Sequence, residues 1–158
     1  MEENTIIRQQ LLKALKGRNA HLSFEDTVKD FPVDYYNKKI DGVLYSCWDL
    51  LEHIRIAQSD ILDFIMNPDY KEKPWPEGYW PVEEADQKNW NKSIENFLRD
   101  RRELENMVTN ISTDLLSPIL HAPEYTIFRE ILLVIDHSSY HIGQLLTLRK
   151  GLGIWPEE

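Results

Sequence analysis

The chain has 158 residues, 42% hydrophobic and 28% charged, which is enough apolar material for a domain with its own core. A net charge of −9 argues against a phosphate-binding surface, so neither nucleic acid nor an anionic membrane is an expected partner. Cys47, the single cysteine, cannot form an internal disulfide, the start Met1-Glu2-Glu3-Asn4 is unlike a signal peptide, and no apolar run approaches bilayer length, so a cytoplasmic protein is expected.

Asn4 reads as the N-cap of a first helix through about Lys16, with Leu11 and Leu15 inward and Gly17 as its stop. From Arg18 to Val43 the pattern is mixed. Ser23-Phe24-Glu25-Asp26 starts a short helix and Pro32 breaks it, so helical turns and no strand are expected. Ser46-Cys47-Trp48-Asp49 is a capping box that opens a second long helix to about Met66. Its apolar stripe is Leu50, Ile54, Ala57, Ile61, Phe64 and Ile65. Residues 67–82 hold Pro74-Trp75-Pro76-Glu77-Gly78-Tyr79-Trp80-Pro81, where the proline density excludes a regular element and predicts an aromatic lid over an apolar seam.

A third helix is predicted from about Glu83 to Asn110, with Trp90, Ile94, Phe97, Leu104, Val108 and Ile111 on one stripe that Arg101 interrupts. Thr126 caps a fourth, which runs to about Lys150 before Gly151 and Gly153. Four long amphipathic patterns with no strand signal predict an all-α single domain over 1–158. Its architecture would be an antiparallel four-helix bundle with short helical turns between helices one and two.

His137 and His141 are four apart, so on a helix they stack on one face, the face that also carries Ile127, Val134, Leu145 and Leu148. His53 lies at the edge of the second helix's stripe. Three neutral imidazoles meeting in a bundle core can hold a divalent ion and leave a coordination position for water or substrate. The plainer reading is three helix histidines with ordinary hydrogen bonds and no metal. Ser138 stands where an H-E-x-x-H protease would carry its glutamate, which excludes that class.

Glu52 and Asp136 each precede a histidine and turn about 100° away, so they are poor ligands. Asp49 is read as the cap, and Cys47 as a packing residue. Arg101 is read first as snorkelling to solvent on its apolar stem, with a buried ion pair to Asp60 or contact with an anionic substrate as the alternatives. His21 and His121 have no partner at ligand spacing. Gln144 is placed to donate a hydrogen bond near the ion. Gly143 costs the helix about 1 kcal/mol relative to alanine, which points to a close helix approach.

The run His137-Ser138-Ser139-Tyr140-His141-Ile142-Gly143-Gln144-Leu145, with Leu148-Arg149 and Gly153-Ile154-Trp155-Pro156, resembles the last helix of the DinB-like proteins. Trp48-Asp49-Leu50-Leu51-Glu52-His53-Ile54-Arg55-Ile56-Ala57-Gln58 is similar to that family's second helix, and Gly78-Tyr79-Trp80-Pro81 to a loop in one branch of it. The resemblance implies a four-helix bundle, frequently a homodimer, with a divalent metal on His53, His137 and His141. It also implies a small-molecule substrate, because related members include thiol-dependent S-transferases and a maleylpyruvate isomerase that use low-molecular-weight thiols.

Three imidazoles accept Zn, Ni, Fe or Cu, with zinc or nickel the expected ion. Trp75, Tyr79 and Trp80, with Arg101 and Gln144, are the candidate pocket residues. The leading expectation is a metal-dependent thiol transferase or hydrolase. Its rival is a non-catalytic, stress-associated metal-binding bundle whose ion is structural.

Overall fold

The computed structural model describes residues 2–17 and 19–156, without the side chains of Glu2 and Glu3. Met1 and Arg18, on which parts of the terminal and linker readings fall, lie outside the described residues. Four long helices make up the bundle: α1 (Glu2–Leu15), α3 (Cys47–Met66), α4 (Gln87–Thr109) and α5 (Ile127–Gly151). α3 packs on α4 and α5, and α1 closes the ring by touching the same two helices. The short α2 (Phe24–Val28) leans on α5. The predicted antiparallel four-helix bundle, with its extra turns before the second long helix, is the fold observed.

Local chemistry explains the boundaries. Ser46 accepts from the Asp49 backbone N–H while the Asp49 carboxylate accepts from the Ser46 N–H at 2.8 Å, so α3 starts where the capping box places it. Ser23 and Asp26 repeat the device for α2. Replacing Ser46 by alanine is expected to cost about 1 kcal/mol. Thermal unfolding should show this as a fall of roughly 2–4 °C for a chain of this size.

Three expectations are corrected. α1 begins at Glu2, and Asn4 is inside it, accepting from Arg8 Nε at 2.7 Å instead of capping. α4 begins at Gln87, because Asp86 and Asn89 form its capping box, and it ends at Thr109. Ile111 is therefore off the helix and exposed. A two-stranded antiparallel ladder, β1 (Pro118–Ile119) with β2 (Ala122–Thr126), stands where no strand was expected. Elements that short have no periodicity to read, and their prolines, Pro118 and Pro123, are tolerated because the ladder is all edge.

Buried apolar residues form two clusters. One joins Leu50, Leu51 and Ile54 to Phe97, Trp90, Ile142 and Leu145; the other joins Leu11, Leu15, Leu104 and Val108 to Ile131 and Val134. On α5 the change from one cluster to the other falls between Val134 and Ile142, the stretch that carries both histidines. The polar site thus occupies the seam of the core. No helix among the described residues is long and apolar enough to cross a membrane.

Candidate metal centre

His53 is on the second turn of α3 and 4% exposed; His137 and His141 are half-buried on α5. The tertiary fold brings all three together. One nitrogen from each lies within 4.8 Å of the others, and no fourth His, Cys, Asp or Glu joins the group among the described residues. The ring centroids are 4.5–4.9 Å apart.

Hydrogen bonds on the outer side of two rings set which nitrogen faces inward. His53 Nδ1–H donates to the backbone carbonyl of Tyr79 at 2.8 Å, which leaves a lone pair on its Nε2. His141 Nδ1–H donates to Gln144 Oε1 at 2.7 Å, with the same result. Gln144 therefore accepts from His141 through its amide oxygen. His53 Nε2 and His137 Nε2 approach to 3.1 Å. Two imidazoles on one tetrahedral ion, with metal–nitrogen bonds of about 2.0–2.1 Å, would place their nitrogens roughly 3.3 Å apart. The donor set fits a divalent ion in type, and the tautomers of His53 and His141 and the His53–His137 spacing agree with it.

Electrostatics agree. His137 is lowered from 6.5 to about 4, first by burial and then by the neighbouring His141 and His53. Burial also lowers His53 and His141, against their hydrogen bonds to Tyr79 and Gln144, which pull upward. All three are neutral at pH 7, the state a metal requires. The depressed value has a consequence for folding without metal. As pH falls below 6.5 the unfolded chain binds protons that folded His137 refuses until about 4, so stability is lost through that window. Urea unfolding of chelator-treated protein at pH 7 and pH 5 should show this loss, and His137→Gln should reduce it.

The aromatic loop reaches the cluster through Trp80. Trp80 stacks on the His53 ring at 4.1 Å with 7° between planes, and Tyr45 stacks on Trp80 at 4.5 Å. Tyr140 meets the edge of His141 at 4.9 Å. Sequence reading missed Tyr45 and Tyr140. Tyr140 was findable as the neighbour of a ligand, whereas nothing near Tyr45 in sequence announces its stacking. Trp75 packs on Tyr79 but is 72% exposed, so it is the outermost of the predicted wall residues.

The turn at Glu77–Tyr79 is tight. A Cβ on Gly78 would lie 2.9 Å from Lys73 Cβ and 3.2 Å from Pro74 Cδ, so glycine is needed there.

Arg101 is not part of this wall. Its guanidinium pairs with Glu25 and, at 3.3 Å, with Glu105. None of its hydrogen bonds or ion pairs is to a residue touching the imidazoles. The alternative Asp60–Arg101 pair is not formed either, because Asp60 accepts from Tyr70 and Tyr79 instead. Arg101 is also too buried to snorkel.

Gly143 faces open space: a Cβ there meets nothing within 4 Å, so no close helix approach explains it. Glu52 pairs with Arg55 and Asp136 is exposed, in keeping with their exclusion as ligands. Cys47 is fully buried, with its thiol pushed up to about 12 chiefly by desolvation, as suits a packing residue. His21 bonds to Ser139 and the Leu22 carbonyl, and His121 packs on Phe64 and Tyr70; neither approaches the cluster.

Fold and site together define a helical bundle with three inward imidazoles on its two central helices. Residues 18–145 match the family model of the DinB superfamily, and the chain belongs to that superfamily. No curated protein and no solved structure matches it.

Proposed function

We propose that this protein binds a divalent metal through His53, His137 and His141 and uses it as a metal-dependent thiol transferase or hydrolase acting on a small molecule. The observation that supports this reading is the convergence of three neutral ring nitrogens with no fourth protein ligand among the described residues. Three protein ligands and an open position are the arrangement of a catalytic ion, whereas structural zinc is closed by four. A bound zinc or nickel ion would supply Lewis acidity and lower the pKa of a water or thiol at the open position.

The chain's own residues orient and enclose. Tyr79 and Gln144 hold two imidazoles in the ligand tautomer, Trp80 covers one face of His53, and the apolar seam limits water.

A second reading, a metal-binding bundle without catalysis, draws support from a different observation. Beyond one another, the imidazoles bond to a backbone carbonyl and an amide, neither of which serves as a general base. The two separate experimentally. The zinc- or nickel-loaded protein would be assayed with a panel of low-molecular-weight thiols and electrophiles, and with simple esters and amides. Thiol-dependent turnover favours transfer, and ester or amide cleavage without thiol favours hydrolysis. Metal binding with neither activity favours the second reading.

A further inference from the structure

We infer that Asp60 is a positioning residue for the metal centre, acting through Tyr79 to fix the tautomer and orientation of His53. The inference rests on the metal-site reading above and deepens it. His53 and Asp60 are seven residues apart on α3, which is two turns and about 10.5 Å along one helix face. Both grip the same residue. The Tyr79 carbonyl accepts from His53 Nδ1–H at 2.8 Å, and the Tyr79 hydroxyl donates to Asp60 Oδ2 at 2.7 Å. Tyr79 thus lies along α3 as a strut held at both ends.

Asp60 is 8% exposed, so its carboxylate needs internal donors; besides Tyr79 it has the Tyr70 hydroxyl at 3.0 Å and Lys73 at 3.9 Å. These contacts draw both ends of the proline-rich loop onto the helix. Burial, then the carboxylate, push both phenols up, Tyr70 to about 12, so they remain donors.

The carbonyl has no proton to give. As long as the strut holds it against Nδ1, His53 must carry its proton there and keep a lone pair on Nε2, 3.1 Å from His137 Nε2. Releasing the hydroxyl end frees the carbonyl end to drift. His53 then regains the Nε2–H form, which donates to His137 and competes with a metal ion. Asp60 has no role in that account beyond holding Tyr79, so removing either partner of the hydroxyl bond should have the same effect.

The test uses Asp60→Ala, Tyr79→Phe and the double variant, with Tyr70→Phe as a control that removes the second hydroxyl from the same Asp60 oxygen but keeps the Tyr79–Asp60 bond. Two readouts apply. Nitrogen-15 NMR of the metal-free protein reports the His53 tautomer, and competition titration with zinc(II) alone reports affinity. Wild type and Tyr70→Phe should show the Nδ1–H form. The other three should show mixed tautomers and bind zinc about 10–100-fold more weakly, the usual cost of losing an orienting partner. The double variant should be no worse than either single.

An unchanged His53 spectrum and unchanged zinc affinity in Tyr79→Phe would overturn the inference, and this variant is mild enough to fold. If wild type takes up no zinc, the metal reading fails by itself; the tautomer spectra still decide whether the strut sets His53.

Discussion

Alanine at any one of His53, His137 or His141 is expected to lower zinc affinity by more than 100-fold. The scale follows from structural zinc sites, where roughly 10–16 kcal/mol is spread over four ligands, or about 3 kcal/mol for each. Here the loss should be at the upper end, because the remaining pair cannot recruit a substitute: Glu52 is engaged by Arg55, and Asp136 points to solvent.

The measurement is metal content of the purified variants, followed by competition titration. His21→Ala serves as control, since His21 is bonded to Ser139 outside the cluster. Wild type loaded at 1,000 times its Kd should gain about 4 kcal/mol of stability over the metal-free form, a gain the three variants should lack. Equal, negligible metal in wild type and all variants would remove the site.

Arg149→Ala is expected to destabilise the fold by about 3–5 kcal/mol, because backbone carbonyls lose a buried charged donor and each such bond contributes roughly 1.5–3 kcal/mol. Arg149 is only 1% exposed, yet among the described residues no carboxylate forms an ion pair with it. Its Nη1 donates to the Thr27 carbonyl at 2.8 Å, Nη2 to Asp30 at 3.3 Å and Nε to Ile154 at 3.4 Å. Phe31 and Trp155 lie within cation–π reach at 4.8 and 5.2 Å. One guanidinium therefore ties the end of α5 to the α2 segment and to the C-terminal turn.

Arg149→Lys should recover little, since an ammonium has no planar fork to reach three carbonyls. Urea denaturation of the two variants checks both statements. If the lysine variant is as stable as wild type, charge alone accounts for the residue.

The elements that sequence reading located well are those whose signals are local. The Ser46–Asp49 capping box satisfies backbone groups within one turn, so α3 starts where it dictates. The Thr126 cap does the same for α5. Where two local signals competed, the reading slipped. Glu83 begins the third amphipathic pattern, but Asp86 has the better partner in Asn89 and takes the cap. The pairing of His137 with His141 is likewise a property of one helix. His53 is joined to them by its place on a second apolar stripe and, more firmly, by the resemblance to DinB-like proteins, because spacing along one helix says nothing about a second.

What the sequence determined by itself, then, is the set of helices, their apolar faces and the presence of three inward histidines. These follow from hydrogen bonds and side-chain periods that close within a few residues. Partner choice among polar groups was decided by the tertiary structure. Asp60 and Arg101 are both buried and opposite in charge, yet each found nearer partners: Tyr70 and Tyr79 for one, Glu25 and Glu105 for the other. The tautomers of His53 and His141, and the Trp80 ring over His53, belong to the same class. A buried polar group takes whichever partner the packed helices and loops bring within about 3 Å, and that distance exists only after the chain has folded.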